Sequence, residues 1–95
     1  MPTYERTERF DRDWTGLTDD QRRRFRRAAV RFVADLPSGR FRAGLRVRGV
    51  EGAEGVFEIT WAPNGRATFQ YGSDQGHGPH VIWRRIGTHD IFVRP

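Results

Sequence analysis

Three side chains, far apart along the chain, are of the types that phosphodiester chemistry needs. His89 follows Gly87-Thr88 after the apolar and basic run Val81 to Ile86. Glu58 lies inside Val56-Phe57-Glu58-Ile59-Thr60-Trp61, and Arg66 follows Asn64-Gly65. A base, an acid and guanidinium charge suffice to cleave RNA by attack of its own 2′-hydroxyl. One group removes that proton, another protonates the leaving 5′-oxygen, and arginine stabilises the phosphorane between the two steps. The protons balance without a metal or a cofactor, and none is expected.

Whether the three residues meet depends on the elements that carry them. Thr3 to Thr7 alternates weakly as a short first strand, and Phe10, Trp14 and Leu17 are spaced for one helix face. Thr18-Asp19-Asp20-Gln21 has the form of a capping box. The helix it opens carries Phe25, Ala28, Ala29, Phe32, Val33 and Leu36 at i, i+3, i+4 spacing and stops at Pro37-Ser38-Gly39. Its remaining surface is mostly arginine (Arg22, Arg23, Arg24, Arg26, Arg27 and Arg31), which reads as a solvated face ahead of a nucleic-acid contact.

From residue 40 the period changes to two. Leu45-Arg46-Val47-Arg48 alternates, Val56 to Trp61 is a strand, and Pro63-Asn64-Gly65 is a hairpin turn in which Asn-Gly supplies positive φ angles. Ala67, Phe69 and Tyr71 mark the next strand, and His80 to Arg85 the last. A short strand, two helices and a three-stranded antiparallel meander make an α+β domain over residues 1–95, with the helices on one sheet face. Phe57, Ile59, Trp61, Ala67, Phe69 and Tyr71 then face the helices. Glu58, Thr60, Arg66, Thr68 and Gln70 are left on the open face, where the last strand brings Arg84, Arg85 and His89. Thr60, Arg46, Arg48, Arg84 and Arg85 are the candidates for holding RNA.

Composition agrees with a polyanion partner. Seventeen basic residues against twelve acidic give a net charge of +5, an excess of arginine whose planar fork suits phosphate; that all seventeen are arginine, with no lysine, also fits codon usage and is no evidence of function. Without cysteine there is no disulfide framework, and the reducing cytosol is the expected compartment. No apolar run approaches a membrane span, so no membrane contact is expected.

Each candidate has a structural alternative. Glu58 and Arg66 also read as a cross-strand ion pair, His89 as the end of a strand, and Arg46 and Arg48 as solvation of a sheet edge. His77 and His80 lack a carboxylate cluster and do not make a metal site. Trp61 and Trp83 read as core.

The order of elements, together with "GVFEITW", "NGRATFQYG" and "HVIWRRIGTHDIF", resembles the RelE/ParE superfamily of type II toxin-antitoxin toxins over nearly the whole chain. Gly87-Thr88-His89 followed by Phe92 is similar to the ending of YafQ-type members, which implies a catalytic His89. Arg66 falls where the family commonly has an arginine that acts on the scissile phosphate, and Glu58 where other members have lysine or glutamate, which implies a base. The resemblance implies a cytoplasmic, monomeric toxin that cuts mRNA on the bacterial ribosome and is neutralised by a cognate antitoxin. Two other readings stay open on the same fold: a ParE-like inhibitor of DNA gyrase, and a catalytically silent RNA- or protein-binding module.

Overall fold

Two threonines set both helix starts. In the computed structural model, which describes residues 2–95, Thr7 Oγ1 accepts from Phe10 N and donates to the Arg84 carbonyl at 2.8 Å, so one hydroxyl caps helix α1 (Glu8–Thr15) and ties it to the sheet. Thr18 and Gln21 form the expected capping box of α2 (Asp19–Asp35), each side chain satisfying the other's backbone N–H. Pro37 lies in a short 3₁₀ turn (Leu36–Ser38), and Gly39 closes it in the left-handed region, where only glycine is free of strain.

The strands are β1 (Thr3–Arg6), β2 (Arg48–Gly49), β3 (Phe57–Ala62), β4 (Gly65–Gly72) and β5 (His80–Gly87), in the spatial order β1-β5-β4-β3-β2. The expected meander is its centre. It is flanked by β1, which runs parallel to β5 with Thr3 opposite His80 and Arg6 opposite Trp83, and by the two residues of β2. The sheet therefore has one strand more than the sequence suggests. Leu45-Arg46-Val47-Arg48 is also no continuous strand: Ala43–Leu45 is a 3₁₀ turn, and Arg46 has φ 49°.

The helices cover one sheet face. Phe25, Ala28 and Phe32 from α2 and Phe10 from α1 meet Ile59, Trp61, Ala67, Phe69, Val81 and Trp83 in a single core, with Phe32 packed edge-on against Phe69 at 4.8 Å. Burying a phenylalanine such as Phe32 contributes about 1.5–3 kcal/mol. Two expected core members are on its margin: Tyr71 is 46% exposed near the end of β4, and Val33 is 43% exposed.

Two irregularities adjust the register. Thr68 pairs with Arg85 but Phe69 pairs with Trp83, so Arg84 is an extra residue in β5. This bulge moves the core parity from Val81 and Trp83 to Ile86, which is buried. The second lies at the hairpin. Ala62 pairs with Gly65, and neither Asn64 nor Gly65 adopts a positive φ, contrary to the turn expected from Asn-Gly. Glycine is required there for another reason: a Cβ on Gly65 would lie 2.5 Å from the Trp61 indole.

Candidate active site

Glu58 lies on the open sheet face, directly opposite Arg48 of the edge strand on one side and Thr68 on the other. It is only 5% exposed. Burial of a carboxylate is unfavourable without a partner, and Arg48 Nε donates to Glu58 Oε1 at 3.0 Å. The ion pair of Glu58 is therefore with β2, not with Arg66. Arg48 itself is largely in water, its side chain 71% exposed.

His89 reaches the same place from the other end of the domain. Thr88 caps the 3₁₀ segment His89–Val93, accepting from Asp90 N, and the exposed His89 ring meets Phe92 edge-on at 5.5 Å. Arg48, Glu51, Glu58, His89 and Phe92 then line one open hollow of about 380 Å³. The structure thus joins Glu58, His89 and one of the expected RNA-binding arginines, Arg48. A carboxylate, an imidazole and a guanidinium on one wall-to-wall hollow are the parts for proton transfer on both sides of a phosphate.

The other candidates lie elsewhere. Arg66 faces Gly87 across the ladder, two residues from His89, but is 8% exposed and turned away from the hollow. Its Nη1 donates to the carbonyls of Ala62, Pro63 and Gly65, while Nε is buried without an acceptor. The expectation that Arg66 faces a solvent groove is corrected on this point: the carbonyls freed at the bulged hairpin hold it. Thr60 lines a separate groove beside α2, and Arg46 is exposed at the end of its 3₁₀ turn.

Arg84 and Arg85 are engaged by the protein itself. The C-terminal residues run back over the open face. Pro95 O accepts from Thr68 Oγ1 at 3.3 Å and from Arg84 Nε at 3.1 Å, and Arg94 O accepts from Arg85 Nη1 at 3.0 Å. Arg84 also donates to Gln70. Arg85 Nε and Nη2 clamp the Asp13 carboxylate at 2.7 and 3.1 Å, and Ile86 N donates to the same carboxylate where β1 has ended and β5 is unpaired. These bonds raise the Arg85 pKa further above its ordinary value. Phe92 in the hollow and Asp13 as an anchor were not read as such from the sequence. Phe92 was visible only as part of the ending, and Asp13 gave no local signal because its partner is 72 residues away.

No protein-family model matches the sequence, and no curated protein does. Solved structures do match. YafQ in the E. coli DinJ–YafQ complex superposes with a TM-score of 0.68 at 13% identity, covering 95% of this chain and 96% of that one. RelE from the RelB–RelE antitoxin–toxin complex of Methanococcus jannaschii gives 0.63 at 15%, with 93% of each chain covered. A metal-bound toxin from Helicobacter pylori gives 0.64 at 16%, covering 95% and 97%. The fold is that of the RelE and YafQ toxins. These matches cover 93–95% of this chain, and the Glu58–His89 hollow lies on the sheet face that the helices leave free. Among the described residues, no three His, Asp or Glu side chains are grouped to hold a metal ion.

Proposed function

We propose that this protein is the toxin of a type II toxin-antitoxin pair and that it cleaves mRNA on the ribosome. The observation that carries the reading is the shared hollow of Glu58, His89 and Arg48 on a RelE-like fold. In the reaction, the Glu58 carboxylate takes the proton of the 2′-hydroxyl. The 2′-oxygen attacks phosphorus, and the 5′-oxygen leaves with the proton that the His89 imidazolium donates. A 2′,3′-cyclic phosphate and a free 5′-hydroxyl result, and charge and protons balance with no further reactant. Arg48, already in the hollow and half-turned to water, holds the phosphorane charge. Arg66 shapes the hairpin beside it.

The partner on this reading is a cognate antitoxin. An acidic amphipathic helix or an added strand are the two forms in which such a partner would dock on this arginine-rich domain. An apolar groove between α1, α2 and β1, lined by Tyr4, Trp14, Ala29, Val33 and Leu36 with Arg6 and Arg26 among its walls, suits the first form. Inducible expression tests the proposal. Growth should stop, and His89→Ala or co-expression of the neighbouring reading frame should restore it. Unimpaired growth with the wild type would remove the toxin reading.

A further inference from the structure

Residues 50–56 join β2 to β3 through two turns of identical form. Val50-Glu51-Gly52-Ala53 is closed by Ala53 N donating to Val50 O at 3.2 Å, and Ala53-Glu54-Gly55-Val56 by Val56 N donating to Ala53 O at 3.1 Å. Each turn places its glycine in the left-handed region, Gly52 at φ 80° and Gly55 at φ 79°, as the third position of a type II turn requires. Val50 N donates to Val56 O at 2.8 Å and closes the loop at its base. The loop is held by its own backbone, and both glutamates are left exposed. They differ in one respect: Glu51 lines the hollow with Glu58, His89 and Phe92, and Glu54 does not. Arg48, the cation of that hollow, is bonded to Glu58 at 3.0 Å. Among the described residues Glu51 has no ion-pair partner. The cleavage scheme gives it no role, and a free carboxylate beside a phosphate is repelled by it.

We propose that Glu51 meets a base instead, and selects guanine for the nucleotide beside the scissile phosphate. The hollow, at about 380 Å³, has the size of a small-ligand site. Single-stranded RNA is read by splaying a base onto an aromatic ring and bonding its Watson–Crick edge. The half-buried Phe92 supplies the ring and Glu51 the bond. An ionised carboxylate only accepts, through two oxygens. Guanine alone presents two adjacent donors on that edge, its ring N–H and its amino group, and so pairs with both oxygens. Adenine and cytosine set an acceptor ring nitrogen beside their amino group, and uracil flanks its N–H with two carbonyls. Each of these three brings an acceptor against the carboxylate. The selection presupposes the proposed cleavage, because it acts in the same hollow.

RNA that cannot be cut separates the two. Fully 2′-O-methylated trinucleotides with guanine, inosine or adenine in the middle are titrated into the isotope-labelled protein, and dissociation constants are read from the shifts of its amide signals. Wild type should bind the guanine trinucleotide about 10-fold more tightly than the adenine one, within what one bidentate side chain–base pair discriminates. Inosine, which lacks guanine's amino group, should fall between them. Glu51→Gln should reverse the order, because the glutamine amide donates to adenine's ring nitrogen while accepting from its amino group. That gain in adenine affinity is one that a misfolded variant does not show. Glu54→Gln alters the twin turn and should bind as wild type does. Equal affinities in the wild type, no binding of any trinucleotide, or a guanine preference that survives Glu51→Gln would overturn the proposal, as would an equal change in Glu54→Gln. A protein that discriminates guanine in this way yet leaves mRNA whole on programmed ribosomes would remove the cleavage reading alone. One that cuts guanine and adenine codons equally well would remove only the selection.

Discussion

Glu58 and Arg48 face each other across the β2–β3 ladder, the carboxylate buried and the guanidinium in water, joined by a 3.0 Å hydrogen bond. The pair fixes the carboxylate in the polar hollow that His89 also lines. Glu58→Gln keeps the shape and removes the base, so cleavage should fall by about 10²–10⁴ with RNA binding little changed. Arg48→Ala should slow the same step, and Arg48→Lys should restore part of it. Single-turnover cleavage of programmed ribosomes measures all three, and a Glu58→Gln enzyme as fast as wild type would remove the carboxylate from the chemistry.

The Asp13–Arg85 clamp closes the unpaired end of β5. Asp13→Ala leaves Arg85 and Ile86 N without their acceptor in a largely shielded place, and should cost about 2–3 kcal/mol in urea unfolding. Arg85→Ala should cost less, because Asp13 keeps the Ile86 bond. Equal, negligible losses would mean that water replaces the clamp.

Gly65 predicts a steric effect. The Trp61 ring occupies the place of its Cβ, so Gly65→Ala should destabilise the protein by about 1–3 kcal/mol, and Trp61→Phe should relieve part of that loss in the double variant. Thermal melts of the two single variants and the double variant measure the coupling. Strict additivity would contradict it.

These cases mark what the sequence made legible. Helix starts, the meander and the alternation of β3 and β4 rest on neighbours within a few residues, and periodicity shows them. Glu58 was legible on the open face from the parity of β3, whereas His89 lies beyond β5 in a 3₁₀ segment, and only the direction of the last strand brought it toward that region. The bulge at Arg84, the Asp13 clamp and the return of residues 94 and 95 over Thr68 depend on contacts between distant segments, which no local period records. Arg66 shows the same limit: its β4 register was readable, but the carbonyls that turn it aside were not.

Asp35 gives a pH dependence. Arg42 donates to it from both side chain and backbone and holds its pKa down from 3.8 to about 2. A carboxylate depressed on folding contributes stability that is present above its unfolded value and lost as pH falls from about 4 towards 2. Asp35→Asn should therefore be less stable than wild type at pH 7, by a small amount that salt reduces, and the difference should shrink across that acid window. Urea midpoints at pH 7 and pH 3 check the sign, and a difference that grows with acid would contradict it.

The central claim is that His89 gives a proton to the leaving oxygen across the hollow from Glu58. The direct measurement is primer extension on mRNA incubated with programmed ribosomes and the wild-type or His89→Gln protein. The wild type should leave new 5′ ends on the mRNA, while His89→Gln, bound to ribosomes as well as wild type, should cut about 10²–10⁴-fold more slowly. Intact mRNA with the wild type together with inhibited gyrase supercoiling, or undiminished cutting by His89→Gln, would contradict the account.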